Sequence, residues 1–175
     1  MSLEDLYRAV IMDHYQHPRN RGKLAPQAAN EGGADESGVK ENGRDGDATG
    51  VRVVQLTNPT CGDEIELALL VEGGVVRDVR FLGHGCSISM ASASMMTEAI
   101  KGRTTVEAVA LLEDFKCLVK GGDCDKSRLG DLEALAGVAK FPARYKCATL
   151  AWNALARGID SGGAGTGANS GGGPA

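Results

Sequence analysis

The chain opens on apolar and polar positions at helical spacing. Leu6, Val10, Ile11 and His14 recur three to four residues apart, which is the period of one helix face. Ser2 with Asp5 three residues on supplies a capping-box start, and Pro18 ends the run. From Pro26 to Gly50 the periodicity disappears. Six acidic residues stand there against two basic ones, with no apolar stripe, so the stretch predicts a mobile acidic loop without a core of its own.

Period two then takes over. Val51 to Thr57 is valine-rich and reads as a strand, and Ile65, Leu67, Leu69 and Val71 alternate with Glu64, Glu66, Ala68 and Glu72, the pattern of a half-buried strand. Gly73-Gly74 supplies the positive φ of a tight hairpin turn. Val75 to Leu82 is the returning strand, with Val75, Arg77, Val79 and Phe81 on one face and Val76 and Leu82 on the other. Three consecutive strands predict an antiparallel meander.

After Gly83-His84-Gly85-Cys86 the period changes again. Ser87 to Lys101 is small, Met-rich and helical, and Met90, Met95 and Met96 read as core filler. Thr104 with Glu107 forms a capping box for a helix through about Leu118. Gly121-Gly122 breaks it, and Leu129 to Ala136 is a short helical piece. Pro142 suits the first residue of a last helix, with Cys147, Leu150, Ala151, Ala154 and Leu155 inward. The fold class expected is α+β: a small three-stranded antiparallel sheet with helices packed on one face. One domain over 1–158 and a flexible Gly-rich tail over 159–175 complete the organisation.

Composition narrows the chemistry. Hydrophobic residues make up 42% of the 175-residue chain but aromatics only 4%, so the core must be aliphatic and Met-based. A net charge of −4 and scattered Lys and Arg argue against a nucleic-acid binder. No segment approaches the roughly 18 consecutive apolar residues of a membrane span. The acidic N-terminus lacks the layout of a signal peptide, which points to the cytosol. Five cysteines spread from Cys61 to Cys147 argue for metal binding or thiol chemistry over a disulfide framework.

Three of those cysteines sit at element ends. Cys61 lies in Asn58-Pro59-Thr60-Cys61-Gly62-Asp63, between two strands. Pro59 fixes one backbone angle and Gly62 lets the chain fold back, so Cys61 and Asp63 can converge. Cys86 directly precedes a helix, where free N–H groups and the dipole favour thiolate. Cys147 falls in the first turn or two of the last helix. Three thiolates and a carboxylate suit tetrahedral zinc or one end of an iron–sulfur cluster. With no C-x-x-C and no zinc-finger spacing, small buried apolar cysteines are the favoured reading from spacing alone, and a metal site is the lesser one.

The blocks Asn58–Asp63, Gly85-Cys86-Ser87-Ile88-Ser89-Met90-Ala91-Ser92-Ala93-Ser94 and Phe141-Pro142-Ala143-Arg144-Tyr145-Lys146-Cys147-Ala148-Thr149-Leu150 resemble the IscU/NifU-N family, and within it the SufU branch. The resemblance runs from Ser2 to about Gly158, interrupted by the 26–50 loop. The scaffold branch carries a histidine immediately before its last cysteine, where Lys146 stands here. The stretch from Gly102 to about Gly130 resembles the SufU-type insertion.

The resemblance implies an IscU-like fold, a cytoplasmic zinc-bound sulfur acceptor for a SufS-type cysteine desulfurase, and delivery to a downstream cluster-assembly complex. It implies Cys61, Asp63, Cys86 and Cys147 as zinc ligands. Cys61 is the ligand expected to leave, freed when the docked desulfurase supplies a histidine, and to take the persulfide sulfur. The alternatives are a scaffold carrying a transient [2Fe–2S] cluster and a structural zinc module with binding functions only. Arg144, three residues before Cys147, suits either support of the thiolates or an ordinary surface position. Lys146 should point away from the metal, His84 should face solvent, and His14 and His17 should sit at a helix end as cations suited to its dipole. Cys117 and Cys124 read as partly buried or idle thiols in preference to a second metal site or redox pair.

Overall fold

The computed structural model describes residues 1–24 and 50–160. The acidic 26–49 stretch and the residues from Ser161 onward lie outside the described residues, whereas Ile159 and Asp160, expected in the tail, end the last helix. The elements are α1 (Leu3–Gln16), β1 (Gly50–Asn58), β2 (Asp63–Glu72), β3 (Val75–His84), α2 (Ser87–Ile100), α3 (Thr105–Val119) and α4 (Tyr145–Asp160). Gly130–Lys140 and Pro142–Arg144 are 3-10 turns between α3 and α4.

The sheet is the expected antiparallel meander, in the order β1-β2-β3. Asn58 pairs with Asp63 and Glu72 with Val75, so each hairpin closes where the turn residues predicted. One face departs from strict alternation. Leu70 pairs with Asp78 but Val71 pairs with Val76, which leaves Arg77 as the extra residue of a β-bulge. The bulge turns Val76 inward with Val79 and Phe81 and leaves Arg77 exposed. Simple period-two reading had put Val76 on the opposite face from Val79.

Helices cover the inner face. α4 lies on β1 and β2 while α2 packs on β3, α1 and α4. α4 approaches β2 closely at Gly158, where an added Cβ would stand 2.5 Å from Leu69 Cδ1. α2 is buried over most of its circumference, Met90, Met95 and Met96 included. Its polar side chains are therefore bonded inside the core: Ser92 Oγ donates to Ala148 O at 2.6 Å and accepts from Trp152 Nε1 at 3.1 Å. Phe115 of α3 stacks on Trp152 with ring centroids 4.6 Å apart. This brings the 102–130 stretch into the main core.

Both predicted capping boxes form, Ser2 with Asp5 and Thr104 with Glu107. Four local expectations change. Pro142 begins a 3-10 turn instead of α4 itself, and the turn bends the chain before Tyr145. The piece after Leu129 is 3-10 throughout and runs to Lys140. His14 is not at the surface: it is 2% exposed, with Nδ1 2.8 Å from Ser94 Oγ, because α1 lies against α2. Leu6, expected on the same apolar stripe, is 49% exposed. Among the described residues no helix is long and apolar enough to cross a membrane.

Candidate metal centre

The site is assembled at one end of the sheet from the β1–β2 turn, the start of α2 and the start of α4. The turn is built by Asn58. Its carbonyl accepts from Cys61 N at 3.3 Å and Gly62 N at 2.8 Å, and its Oδ1 accepts from Thr60 N at 3.3 Å. Gly62 takes φ +69°, a conformation that side-chain-bearing residues adopt at a cost. The result holds the Cys61 thiol out on an exposed turn while Asp63, at the first position of β2, is 1% exposed.

Cys147 enters from the first turn of α4 and is fully buried. Its thiol lies 3.5 Å from Cys61 Sγ. One ligand atom each from Cys61, Asp63 and Cys147 fall within 4.8 Å of one another. These three residues, drawn from two separate parts of the chain, could hold a metal ion.

Cys86 Sγ stands beside that triangle and caps α2, accepting from Ser89 N at 3.5 Å. Its backbone N–H donates to Asp63 Oδ1 at 3.0 Å. The expected placement at a helix N-terminus is thus met, and the same bond fixes the Asp63 carboxylate. Gly85 makes the approach possible. A Cβ there would stand 2.5 Å from Asp63 Oδ1 and 2.6 Å from Ser89 Oγ.

The electrostatics are those of a crowded anionic site. Burial, then hydrogen bonds with Asp63 and Cys61, then the charge and hydrogen bond of Cys86, push the Cys147 thiol strongly up. Arg144, exposed in the 3-10 turn before α4, is the nearby countercharge. The charge of Cys86 and the hydrogen bond and charge of Cys147 hold its guanidinium more firmly protonated than usual. The other Asp63 oxygen, Oδ2, is buried with no hydrogen-bond partner among the described residues. A buried carboxylate oxygen without a donor is expensive, and a cation between it and the two sulfurs removes that expense. Two neighbouring thiols, a third at a helix N-terminus and an orphaned carboxylate oxygen fit a thiophilic divalent ion.

Lys146 is exposed and His84 is 73% exposed at its side chain, within 3.8 Å of Glu64. Sequence reading did not single out Ser89 and Asn58, which organise Cys86 and the Cys61 turn. The Asn-Pro-x-Cys-Gly order was the available signal for Asn58.

Known proteins bear on this geometry. The NifU-like N-terminal domain profile matches residues 6–148. The chain belongs to the NifU-like N-terminal domain family. Within the family it is 46% identical over 159 residues to the zinc-dependent sulfurtransferase SufU of Bacillus subtilis (strain 168), covering 90% of this chain and 92% of that protein. It is 42% identical over 158 residues to the iron–sulfur cluster assembly scaffold protein IscU of Streptococcus pyogenes serotype M1, covering 90% and 84%. The fold superposes with TM-score 0.70 on the crystal structure of an iron–sulfur cluster assembly scaffold protein for the SUF system from Fervidobacterium islandicum AW-1. That pair is 28% identical over 90% of this chain and 99% of the other. The resemblance read from the three cysteine blocks is therefore borne out, SufU branch included.

Proposed function

We propose that this family member is a cytoplasmic zinc-bearing sulfur acceptor that works with a SufS-type cysteine desulfurase in iron–sulfur cluster assembly. The observation that carries the reading is the division of labour among the thiols: Cys61 is exposed on a turn, 3.5 Å from a fully buried Cys147. A nucleophile that must meet another protein's persulfide needs access, and its partner ligands need rigid supports. Asp63, Cys86 and Cys147 have those supports, and Cys61 has the access. The SufU relative and Lys146 in place of the scaffold branch's histidine favour the same reading.

Bound zinc supplies charge that keeps the coordinating thiols deprotonated at neutral pH. Cys61, Asp63, Cys86 and Cys147 are the residues that would hold it. The Cys61 thiolate attacks the terminal sulfur of the desulfurase persulfide. The sulfur–sulfur bond of that persulfide breaks, the desulfurase cysteine leaves as thiolate, and Cys61 becomes the persulfide. Arg144 supports the anionic site and offers a positive contact at its mouth. Delivery to a downstream cluster-assembly complex would follow by the same exchange chemistry.

The test combines the zinc-loaded chain with a SufS-type desulfurase and cysteine and follows alanine release. A large rise that Cys61→Ala abolishes supports the reading. A second reading, a scaffold for [2Fe–2S] clusters, is favoured by the IscU relative. Protein purified without added metal separates the two: tightly bound zinc and no colour fits transfer, whereas brown protein with iron and sulfide fits the scaffold. Intact zinc with no rise in alanine would leave a structural zinc module.

A further inference from the structure

Cys117 and Cys124 are not among the residues grouped at the candidate centre, and the proposed sulfur acceptance does not use them. Cys117 is in the last turn of α3, and Cys124 follows the Gly121-Gly122 break. The break curls the chain back over the Cys117 sulfur. Gly121 takes φ +79°, Gly122 N donates to Cys117 O at 3.0 Å, and Cys117 Sγ donates to Asp123 O at 3.4 Å. Cys124 Sγ turns inward as well, 3.8 Å from Gly122 O.

Gly122 keeps this turn tight. A Cβ at that position would stand 2.9 Å from Cys117 Sγ, so only glycine lets the backbone lie against the sulfur. Each sulfur thus lies against a backbone carbonyl of the same short turn. Desolvation, then the hydrogen bond with Cys117 and its charge, push the Cys124 thiol up, with Lys126 opposing. Both cysteines are half-buried and reduced. Two neighbouring thiols in one glycine-hinged turn, each reachable from solvent, have what a dithiol needs to close.

We propose that Cys117 and Cys124 form a reversible dithiol–disulfide couple, closed by small two-electron oxidants of the peroxide or low-molecular-weight disulfide class. With a peroxide, one thiolate attacks oxygen, the O–O bond breaks, and water and a sulfenic acid result. The second thiol attacks that sulfur, the S–O bond breaks, another water leaves and the S–S bond forms. With a small disulfide, the first attack releases one small thiol and leaves a mixed disulfide, and the second attack releases the other. Small thiols reopen the bond by the reverse exchange. Closure fixes the turn that carries Lys120, whose Nζ lies 5.7 Å from the Tyr145 ring centroid, and Tyr145 is two residues before Cys147. The redox state of the turn therefore bears on the support of α4.

The experiment equilibrates the zinc-loaded full chain in glutathione buffers of graded redox potential, blocks free thiols and maps disulfides by mass spectrometry. The expected result is a Cys117–Cys124 linked peptide at less oxidising potentials than any linkage involving Cys61, Cys86 or Cys147, with zinc still bound. In Cys117→Ser the linked peptide is lost and Cys124 carries glutathione instead. Glutathione on Cys117 or Cys124 of the unaltered chain without any link between them, or first linkage through Cys61, overturns the proposal.

Discussion

Gly85 and Asp63 are locked together at the base of the site: a Cβ at position 85 would stand 2.5 Å from Asp63 Oδ1, while Cys86 N–H holds that same oxygen at 3.0 Å. The carboxylate is therefore positioned by a missing side chain as much as by a hydrogen bond. Its second oxygen is buried with no hydrogen-bond partner among the described residues.

Gly85→Ala displaces Asp63 without touching the aliphatic core. Loss of a partner that orients a metal ligand typically weakens metal affinity by about 10–100-fold. Competition against a zinc chelator should show a loss of that order, with the thermal unfolding midpoint of the metal-free protein nearly unchanged. Unaltered zinc affinity would mean that Asp63 is not held in place by this contact.

Metal removal should change how stability depends on pH. The folded-state pKa of Cys147 is raised above its unfolded value, chiefly by burial. Its contribution is thus complete below the ordinary thiol value of 9.0 and is lost as pH rises through that value toward the folded one. The metal-free protein should lose thermal stability steeply above about pH 9. Zinc-loaded protein, its thiols already deprotonated, should instead lose stability on acidification, as protons displace the metal. Melting curves across pH with and without chelator check both arms.

Phe115→Ala tests whether the 102–130 stretch belongs to the core. The ring is fully buried and stacked on Trp152, so truncation should cost about 3–5 kcal/mol, read by urea unfolding. A cost near that of a surface change, about 0.5 kcal/mol, would detach α3 from the core.

Arg144 is proposed to act through charge beside Cys86 and Cys147. Arg144→Ala should lower desulfurase stimulation severalfold, and Arg144→Lys should recover part of it with the zinc content of all three proteins equal. Equal stimulation by the Ala variant would assign the residue to the surface.

Much of this was legible in the sequence where one physical rule acted alone. The strand marked by Ile65, Leu67, Leu69 and Val71, the Gly73-Gly74 turn and the two capping boxes each depend on local pattern and formed where read. Ala68 and Leu70 are buried too, so that β2 is not half-buried from Leu67 to Val71. The misses lie where tertiary contacts overrule the local period. Val76 turns inward because the bulge at Arg77 resets the alternation, a choice that the strand's own residues do not encode. His14 is buried because α1 packs on α2, where its Nδ1 hydrogen-bonds with Ser94 Oγ eighty residues away in the chain. The site followed the same division. Cys61 and Asp63 converge through a local turn whose proline and glycine were visible. The approach of Cys147 and the closeness of Gly85 to Asp63 needed the packed fold, and the three motif blocks stood in for it.

The central claim is that Cys61 accepts sulfur while Cys147 stays buried as support. The most direct measurement incubates the zinc-loaded chain with a SufS-type desulfurase and cysteine, then locates the added sulfur by peptide mass spectrometry. The account predicts one extra sulfur atom on the Cys61 peptide and none on those of Cys86 or Cys147. Sulfur on the Cys147 peptide, or on the Cys86 peptide with Cys61 unmodified, would contradict it.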